Sequence, residues 1–504
     1  MLLARLVEVS TAVSATGSRL AKRDLIADLL AEAGAGDAEL VATFLSGTLR
    51  QRRTGVGWHG LSSLPAPALS ASVSVSDVDV ALSQISRLSG SGSASARRAA
   101  VTTLFEQLTS PEQEFLRDLI TGNVRQGALD SVMLDAIARA AGIPVKAVRR
   151  AAMFSAPTGP IATAALTGGE AALEEFTMLV GRPVRPMLAG SAPDVAAGVD
   201  KVGGPLVVDT KLDGIRIQLH KHGEEISVFT RSLDEISERL PEVVAIARSL
   251  PVGDAVLDGE ALVLSADGRP MPFQDTASST AQHAGASGIR PFFFDLLLHE
   301  DESLIEAPTS ARLELLDAIV PAEHRVARLV ATSPDEAQSF FDDAVADGQE
   351  GVILKRLDAS YDAGRRGSAW VKVKPRHTLD LVVLAVEWGS GRRTGRLSNI
   401  HLGALGPDRV PVMLGKTFKG MTDEMLAWQT SRFLELETHR EGHVVHVRPE
   451  QVVEIAFDGV QRSTRYPGGV ALRFARVLRY RDDKRADEVD SLETVRALGG
   501  LPST

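Results

Sequence analysis

The run Asp209-Thr210-Lys211-Leu212-Asp213-Gly214-Ile215-Arg216 sets a lysine between two aspartates, with a glycine and an arginine following. A lysine amine is a nucleophile once it is unprotonated, and neighbouring cations and partial burial favour that form. Pro205 to Val208 reads as a short apolar strand. Ile215, Ile217 and Leu219 alternate with Arg216, Gln218 and His220, as in a second strand. A strand end presents a reactive side chain rigidly. Taken alone, so short a run reads more often as a charged hairpin with Lys211 and Asp213 in solvent.

Further clusters follow in order. Arg231-Ser232 comes first, then Asp258-Gly259-Glu260 and Phe292-Phe293-Phe294-Asp295. Glu350-Gly351-Val352-Ile353-Leu354-Lys355 and Trp370-Val371-Lys372-Val373-Lys374 come next, and Arg473-Phe474-Ala475-Arg476 closes the series. In order and spacing this series resembles the nucleotidyltransferase motifs of ATP-dependent DNA ligases, starting from their Lys-x-Asp-Gly signature. The likeness covers roughly the last two-thirds of the chain and points to the three-domain bacterial type within the covalent nucleotidyltransferase superfamily.

The resemblance implies a reaction that seals nicks in duplex DNA. AMP passes from ATP to Lys211 and then to the 5′-phosphate, before the 3′-OH closes the bond. Arg216, Lys372 and Lys374 would supply positive field and bind phosphates. Lys372 and Lys374, two apart on a strand, share one face, while Val371 and Val373 pack on the other. Arg366 and Arg231 match nucleotide-contacting arginines of the family. Phosphoryl transfer calls for a divalent cation, which prefers carboxylate oxygens. The likeness assigns Glu260 and Glu350 to it, with Glu260 also near the ribose and Lys355 beside them facing the phosphate. Magnesium is the expected ion and manganese the alternative. Asp258 is a weaker candidate for a supporting role. Phe294 matches the aromatic that stacks on adenine, whereas Phe292 and Phe293 read as core. Asp209 matches the residue beside the purine amine. Arg473 belongs to the last motif, which orients pyrophosphate and then swings away about a hinge near Pro375 to Asp380. The family more often has proline where Ala475 stands.

At 504 residues the chain exceeds one core, so two to four domains are expected. Hydrophobic content of 44% and charged content of 24% are ordinary for a globular protein. A net charge of −10 argues against a protein that coats nucleic acid by bulk charge, while leaving room for local basic surfaces. There is no cysteine, which excludes disulfides, thiolate zinc sites and cysteine nucleophiles and suits a reducing cytoplasm. Met1 to Ala15 is interrupted by Arg5 and Glu8 and reads as a helix, not a signal peptide. No stretch is long and apolar enough for a membrane span.

The expected architecture is multidomain: an all-α DNA-binding domain over 1–175, an α/β (ATP-grasp-like) adenylation domain over 176–374 and a β OB-fold domain over 375–504. In the first part, Lys22 to Ala33 and Asp37 to Leu45 read as separate helices, the second capped by Asp37. Leu61 to Ser72 reads as a loop, Asp77 to Leu88 as a helix, and Gly90 to Ala96 as the most linker-like run. Ser110-Pro111-Glu112-Gln113 opens another helix. Arg50, Arg52 and Arg53 beside Thr54 to Trp58 suit phosphate contact about as well as an ordinary basic turn. Gly122 to Gly127, with Arg125 in it, precedes a helix over Leu129 to Ala141 and resembles the loop by which ligases grip a minor groove. Lys146, Arg149 and Arg150 add positive charge.

From Leu379 on, short strands are expected at Leu379–Val386, Ile400–Leu405, Val410–Leu414, Val444–Val447, Val452–Phe457 and Leu472–Tyr480, with one helix at Thr422–Leu436. Gly389 to Arg396 reads as a flexible basic loop. The partner implied is nicked double-stranded DNA, bound by a cytoplasmic monomer working in replication, repair or recombination. NAD-dependent ligases share Lys-x-Asp-Gly but carry a four-cysteine zinc module, and the absence of cysteine speaks against them. An RNA ligase or capping enzyme and a catalytically silent binding scaffold are the remaining alternatives. The long helical N-terminal part disfavours the former, and the intact Lys211, Glu260, Glu350, Lys372 and Lys374 disfavour the latter.

Overall fold

Leucines, valines and isoleucines spaced three and four apart give the N-terminal helices one apolar face each. A computed structural model describes residues 1–51, 54–124, 130–155, 157–265, 271, 288–499 and 501. The helices are α1 (Leu3–Ala15), α2 (Arg19–Leu45), α3 (Val75–Arg87), α4 (Ser93–Phe105), α5 (Ser110–Ile120), α6 (Asp130–Ala141), α7 (Val145–Phe154) and α8 (Thr158–Glu174). Leu6, Leu30, Phe44, Leu82, Phe105, Leu116, Ile137 and Ile161 meet in one buried cluster. The expected break between Lys22–Ala33 and Asp37–Leu45 is a kink inside α2, where Gly34 has φ +61°. Asp37 does not act as the expected cap. Its carboxylate pairs with the amino terminus and accepts from Ser76 Oγ at 3.1 Å. Gly90 to Ala96 is not a linker: Gly90 and Gly92 take φ +82° and α4 starts at Ser93. Pro111 stands in the first turn of α5, behind a capping box from Thr109 and Glu112.

Arg50 is not free for phosphate. It is ion-paired with Asp79, which is buried, and lies 3.6 Å from Glu39. Arg149 is likewise paired with Asp135 at 2.6 Å, and Arg150 lies 3.6 Å from Glu306. Arg52, Arg53, Arg125, Gln126, Gly127 and Leu129 lie outside the described residues, as does the side chain of Arg392.

The chain divides into two compact units. The first is Met1–Gly190, Val202–Thr332 and Leu354–Val371; the second is Ser191–Lys201, Ser333–Ile353 and Lys372–Thr504. Strands are β1 (Leu188–Ser191), β2 (Leu206–Lys211), β3 (Ile215–His222), β4 (Glu225–Thr230), β5 (Asp254–Val263), β6 (Ile289–His299), β7 (Glu302–Ser303), β8 (Arg328–Ala331), β9 (Gly351–Arg356) and β10 (Arg366–Val373). One sheet has the order β1-β10-β9-β2-β8 and the other β4-β3-β5-β6-β7. β2 and β3 therefore do not pair. The Lys211 to Gly214 segment crosses from one sheet to the other, and the charged-hairpin reading is wrong.

Ile217 and Leu219 face a core with Val228, Leu257, Phe293, Leu296 and Leu316. The opposite face of β3 is polar yet also buried. Gln218 exchanges hydrogen bonds with Val184, at 2.8 and 3.1 Å, and Gly181 N donates to His220 Nδ1 at 3.0 Å. That donor leaves Nε2 of His220 to donate to Gln218 at 2.9 Å. Burial lowers the His220 pKa to about 3, consistent with this neutral tautomer.

The second unit continues with β11 (His377–Trp388), β12 (Leu397–Leu405), β13 (Pro411–Thr417), β14 (Glu437–Glu441), β15 (Val444–Val447), β16 (Val452–Phe457), β17 (Gly459–Arg462), β18 (Val470–Arg473) and β19 (Arg476–Tyr480). Its main sheet runs β13-β12-β11-β15-β14, with β16 pairing β11 and β19, while β17 and β18 form a separate pair. The helix Asp423–Glu435 begins at Thr422, whose side chain accepts from Met425 N. Leu472–Tyr480 is not one strand. Phe474 has φ +54° and breaks it into β18 and β19, which pair in different sheets. A further helix, Leu492–Leu498, was not expected.

Glu387 on β11 draws together Lys416, Asn399 at 2.6 Å and His401 at 3.0 Å. Burial raises its pKa, but these partners outweigh burial and lower it to about 2 from 4.5. A depressed carboxylate stabilises the fold above its unfolded value and loses that contribution as pH falls through the folded one. Unfolding of wild type should therefore steepen in pH dependence between about pH 4.5 and 2. Glu387→Gln should flatten that window, as read by urea midpoints at several pH values. An unchanged pH slope in the variant would remove Glu387 as the cause.

Candidate active site

Lys211 is the last residue of β2 and Asp209 lies two before it, on the same strand face. Lys211 is half-buried and its Nζ donates to the Leu212 carbonyl at 3.3 Å. Asp209 is 1% exposed. Lys355 Nζ is 2.6 Å from its Oδ2, and Arg328 Nε is 4.0 Å from its Oδ1. Among the described residues neither oxygen has a donor in hydrogen-bonding geometry. Lys355, expected to face the phosphate beside the two glutamates, is turned onto Asp209 and the aromatic rings. It is buried, donates to the Phe294 carbonyl at 2.8 Å, and lies 4.8 and 4.4 Å from the Phe294 and Trp370 ring centres.

Gly214 cannot carry a side chain. A Cβ there would stand 2.5 Å from the Ala261 carbonyl and 3.0 Å from Glu260 Cγ. The missing Cβ lets the Lys211 segment approach β5, where Glu260 is cross-strand from Arg216.

Arg216 is held on three sides. Its guanidinium donates to Asp258 through Nε at 3.0 Å and Nη2 at 2.6 Å, and to the Met187 carbonyl at 2.7 Å. Tyr361 Oη donates to Asp258 Oδ2 at 2.7 Å and accepts from Met187 N at 2.9 Å. Burial alone would lower the Arg216 pKa, but the Asp258 charge outweighs it and holds the group above its usual range. Its guanidinium carbon lies 5.5 Å from the Phe294 ring centre, at cation–π distance. Arg216 reaches Phe294 and Asp258 together because β3 pairs β5 and β5 pairs β6.

Arg231 is exposed in the turn after β4. Leu233, with φ +67°, and Thr230, whose hydroxyl accepts from Asp234 N at 3.2 Å, shape that turn. Arg231 shares a small cleft with Arg216, Pro186, Thr230 and Asp258. Phe294 is half-buried in a T-shaped pair with Trp370, at 6.0 Å between centres, and Phe293 is fully buried. Phe292 is only half-buried, and alternation along β6 puts it on the Phe294 side instead of in the core. Arg366 opens β10 as an exposed residue. Lys211, Asp209, Arg216, Arg231, Glu260, Phe294 and Arg366 all fall in the first unit.

Glu350, Lys372, Lys374 and Arg473 fall in the second. Lys374 Nζ pairs with Glu350 and lies 3.2 Å from Asp458 Oδ2. Burial lowers its pKa, but these carboxylates outweigh burial and raise it. Gly351 beside Glu350 has φ +130°, and a Cβ there would meet the Val373 carbonyl at 2.2 Å. Asp458 also faces Arg476 at 3.6 Å, and its backbone N donates to the Arg473 carbonyl at 3.0 Å. Arg473 lies 5.9 Å from the ring centre of Phe474, which is exposed. Inner strand β10 carries Trp370, Val371 and Val373 as buried residues, with Lys372 half-buried.

Sequence reasoning missed Tyr361, named Asp258 only as a weak supporting candidate without its partner Arg216, and did not foresee Lys355 against Asp209. Tyr361 is one of only three tyrosines, but it lies in no motif, so nothing local marked it.

Comparison with known proteins agrees along the chain. Residues 186–374 match the ATP dependent DNA ligase domain, 393–484 its C-terminal region, and 62–138 the DNA ligase N terminus. A "Probable DNA ligase" of Beutenbergia cavernae is 60% identical over 99% of this chain and 100% of its own length. One from Nocardioides sp. is 58% identical over 99% of both. A solved structure titled "Pmar-Lig_PreS3" shares the fold at a TM-score of 0.65 and 19% identity, over 94% of this chain and 99% of that one. The chain belongs to the ATP-dependent DNA ligase family. It is a multidomain enzyme with a helical N-terminal region and a β-rich C-terminal one. It uses ATP to seal nicks in DNA through enzyme-adenylate and DNA-adenylate intermediates, the family reaction typical of replication and repair.

Proposed function

We propose that Lys211 is the adenylated residue. Its amine lone pair attacks the α-phosphorus of ATP, a P–N bond forms, the bond to the β-phosphate oxygen breaks, and pyrophosphate leaves as the amine gives up a proton. The 5′-phosphate at the nick then takes AMP from Lys211, and the 3′-OH displaces AMP to form the phosphodiester. The observation that carries the assignment is the end of β2. There Lys211 stands two residues from a buried Asp209 whose oxygens, among the described residues, lack in-line donors. That carboxylate suits an adenine amine, and Phe294 suits the base as a stacking surface. Arg216, locked by Asp258, gives a fixed positive charge. Glu260 would meet the ribose, and Arg231 and Arg366 the nucleotide's outer groups.

Glu260 and Glu350 would hold a divalent cation. Their donor chemistry fits, both being carboxylates next to glycine, the oxygen type that magnesium and manganese take. Such a cation supplies charge neutralisation at the phosphates. Lys374 would turn from Glu350 toward phosphate as nucleotide enters, with Lys372 beside it.

Residues 1–175 would act as an all-α DNA-binding domain, 176–374 as the ATP-grasp-like adenylation domain and 375–504 as an OB-fold, in a cytoplasmic monomer on nicked duplex. Among the described residues no helix is long and apolar enough to cross a membrane.

Incubation with α-labelled ATP and magnesium without DNA, followed by peptide mapping, tests the nucleophile. Label on Lys211, discharged by nicked DNA, is expected; label on another residue would overturn the assignment. Arg473→Ala should slow self-adenylation by roughly 10-fold or more while sealing of pre-adenylated nicks falls less, because the group acts on the pyrophosphate of the first step only. Equal losses in both steps would remove Arg473 from that role.

A further inference from the structure

The β14–β15 hairpin carries a cluster that the nick-sealing chemistry does not use. His439 on β14 is cross-strand from His446 on β15, and Glu441 closes the same hairpin. The two imidazoles stack nearly parallel, 4.3 Å between centres at 4°. His439 Nε2 lies 3.8 Å from Glu441 Oε1, and His446 Nε2 lies 3.7 Å from Oε2. One donor atom from each of the three lies within 4.8 Å of the others.

The tautomer of His439 is set by Thr438. The Thr438 hydroxyl donates its only proton to the His446 carbonyl at 3.1 Å, so at 3.2 Å it accepts from His439 Nδ1–H. The free lone pair of His439 is then on Nε2, the atom turned to Glu441. Such a hydrogen bond on the outer ring nitrogen is how metal-binding histidines are oriented.

We propose that His439, His446 and Glu441 form a binding site for one divalent cation of the zinc class, separate from the magnesium-dependent chemistry. Two imidazoles and a carboxylate suit zinc, cobalt or nickel over magnesium. Tetrahedral ligands about 2.0–2.1 Å from zinc stand roughly 3.3–3.4 Å apart. The three donor atoms lie within 4.8 Å of one another, so binding closes the widest separation by up to about 1.4 Å and tilts the two stacked rings so that their lone pairs converge, a rotation open to the exposed His439 and Glu441 and the half-buried His446. Three protein ligands leave the fourth position to water. The bound ion would clamp the two strands of the hairpin together.

The test is cobalt and zinc titration of the full chain in excess magnesium, which occupies oxygen-only sites. Wild type should bind one equivalent, with the visible absorption of tetrahedral cobalt. His439→Ala and His446→Ala should each weaken that binding at least about tenfold. His443→Ala, at the hairpin turn outside the cluster, should leave it unchanged. Failure of wild type to bind, or binding as tight as wild type by both histidine variants, would overturn the site. Lysine labelling and nick sealing at saturating magnesium are read alongside, and loss of either leaves the titration outcome independent of the Lys211 assignment.

Discussion

Lys211→Ala is expected to form no covalent adenylate and to lose at least about 10³-fold in ATP-dependent sealing, because a nucleophile has no substitute in the site. The fold should survive. Lys211 is half-buried at a strand end and belongs to no apolar cluster, so its truncation should change stability by under about 1 kcal/mol. Pre-adenylated nicked DNA bypasses the first step, so the variant should seal it at a rate closer to wild type. Gel separation of labelled enzyme and of sealed strand distinguishes the two reactions. Wild-type self-adenylation by the variant would end the assignment of Lys211. Equal collapse of both reactions together with a lowered unfolding midpoint would mean that the residue is structural.

Asp258→Ala should carry the largest stability effect. Asp258 is 1% exposed and accepts two hydrogen bonds from Arg216 and one from Tyr361. Removing the carboxylate strands a buried guanidinium and a buried hydroxyl, at a cost of about 3–5 kcal/mol. Arg216 would also lose its orientation beneath Phe294, so ATP affinity should fall along with stability. Asp258→Asn retains the shape and one acceptor and should recover part of both. Chemical denaturation gives the stability, and equilibrium ATP binding by the folded fraction gives the affinity. A variant with wild-type values for both would show that Met187 and the aromatic rings suffice to hold Arg216.

Much of this was legible in local sequence. Strand β3 follows from apolar alternation and β2 and β9 from short apolar runs, and the helices follow from three- and four-residue spacing, whereas the caps at Ser74 and Thr109 and the failure of Asp37 as a cap appear only in the structure. Reactive residues at strand ends were recoverable because motif spacing is a one-dimensional property. Misreadings came where distant residues decide. Gly90 to Ala96 looked like a linker because composition carries no information on what Ser93 to Phe105 packs against. Leu472 to Tyr480 looked like one strand because alternation persists through Phe474, and only the left-handed backbone there sends its halves to different sheets.

The sequence by itself determined the family, the reaction and the identity of the groups that can do chemistry, since these depend on residue types in a set order. Only the tertiary structure decided which charges meet. Asp258 locks Arg216, Lys355 is buried against Asp209 and Phe294, and Lys374 is paired with Glu350 and Asp458. The physical reason is that an ion pair is set by distance and burial in space. Partners 42 residues apart, like Arg216 and Asp258, become neighbours only when β3 pairs with β5.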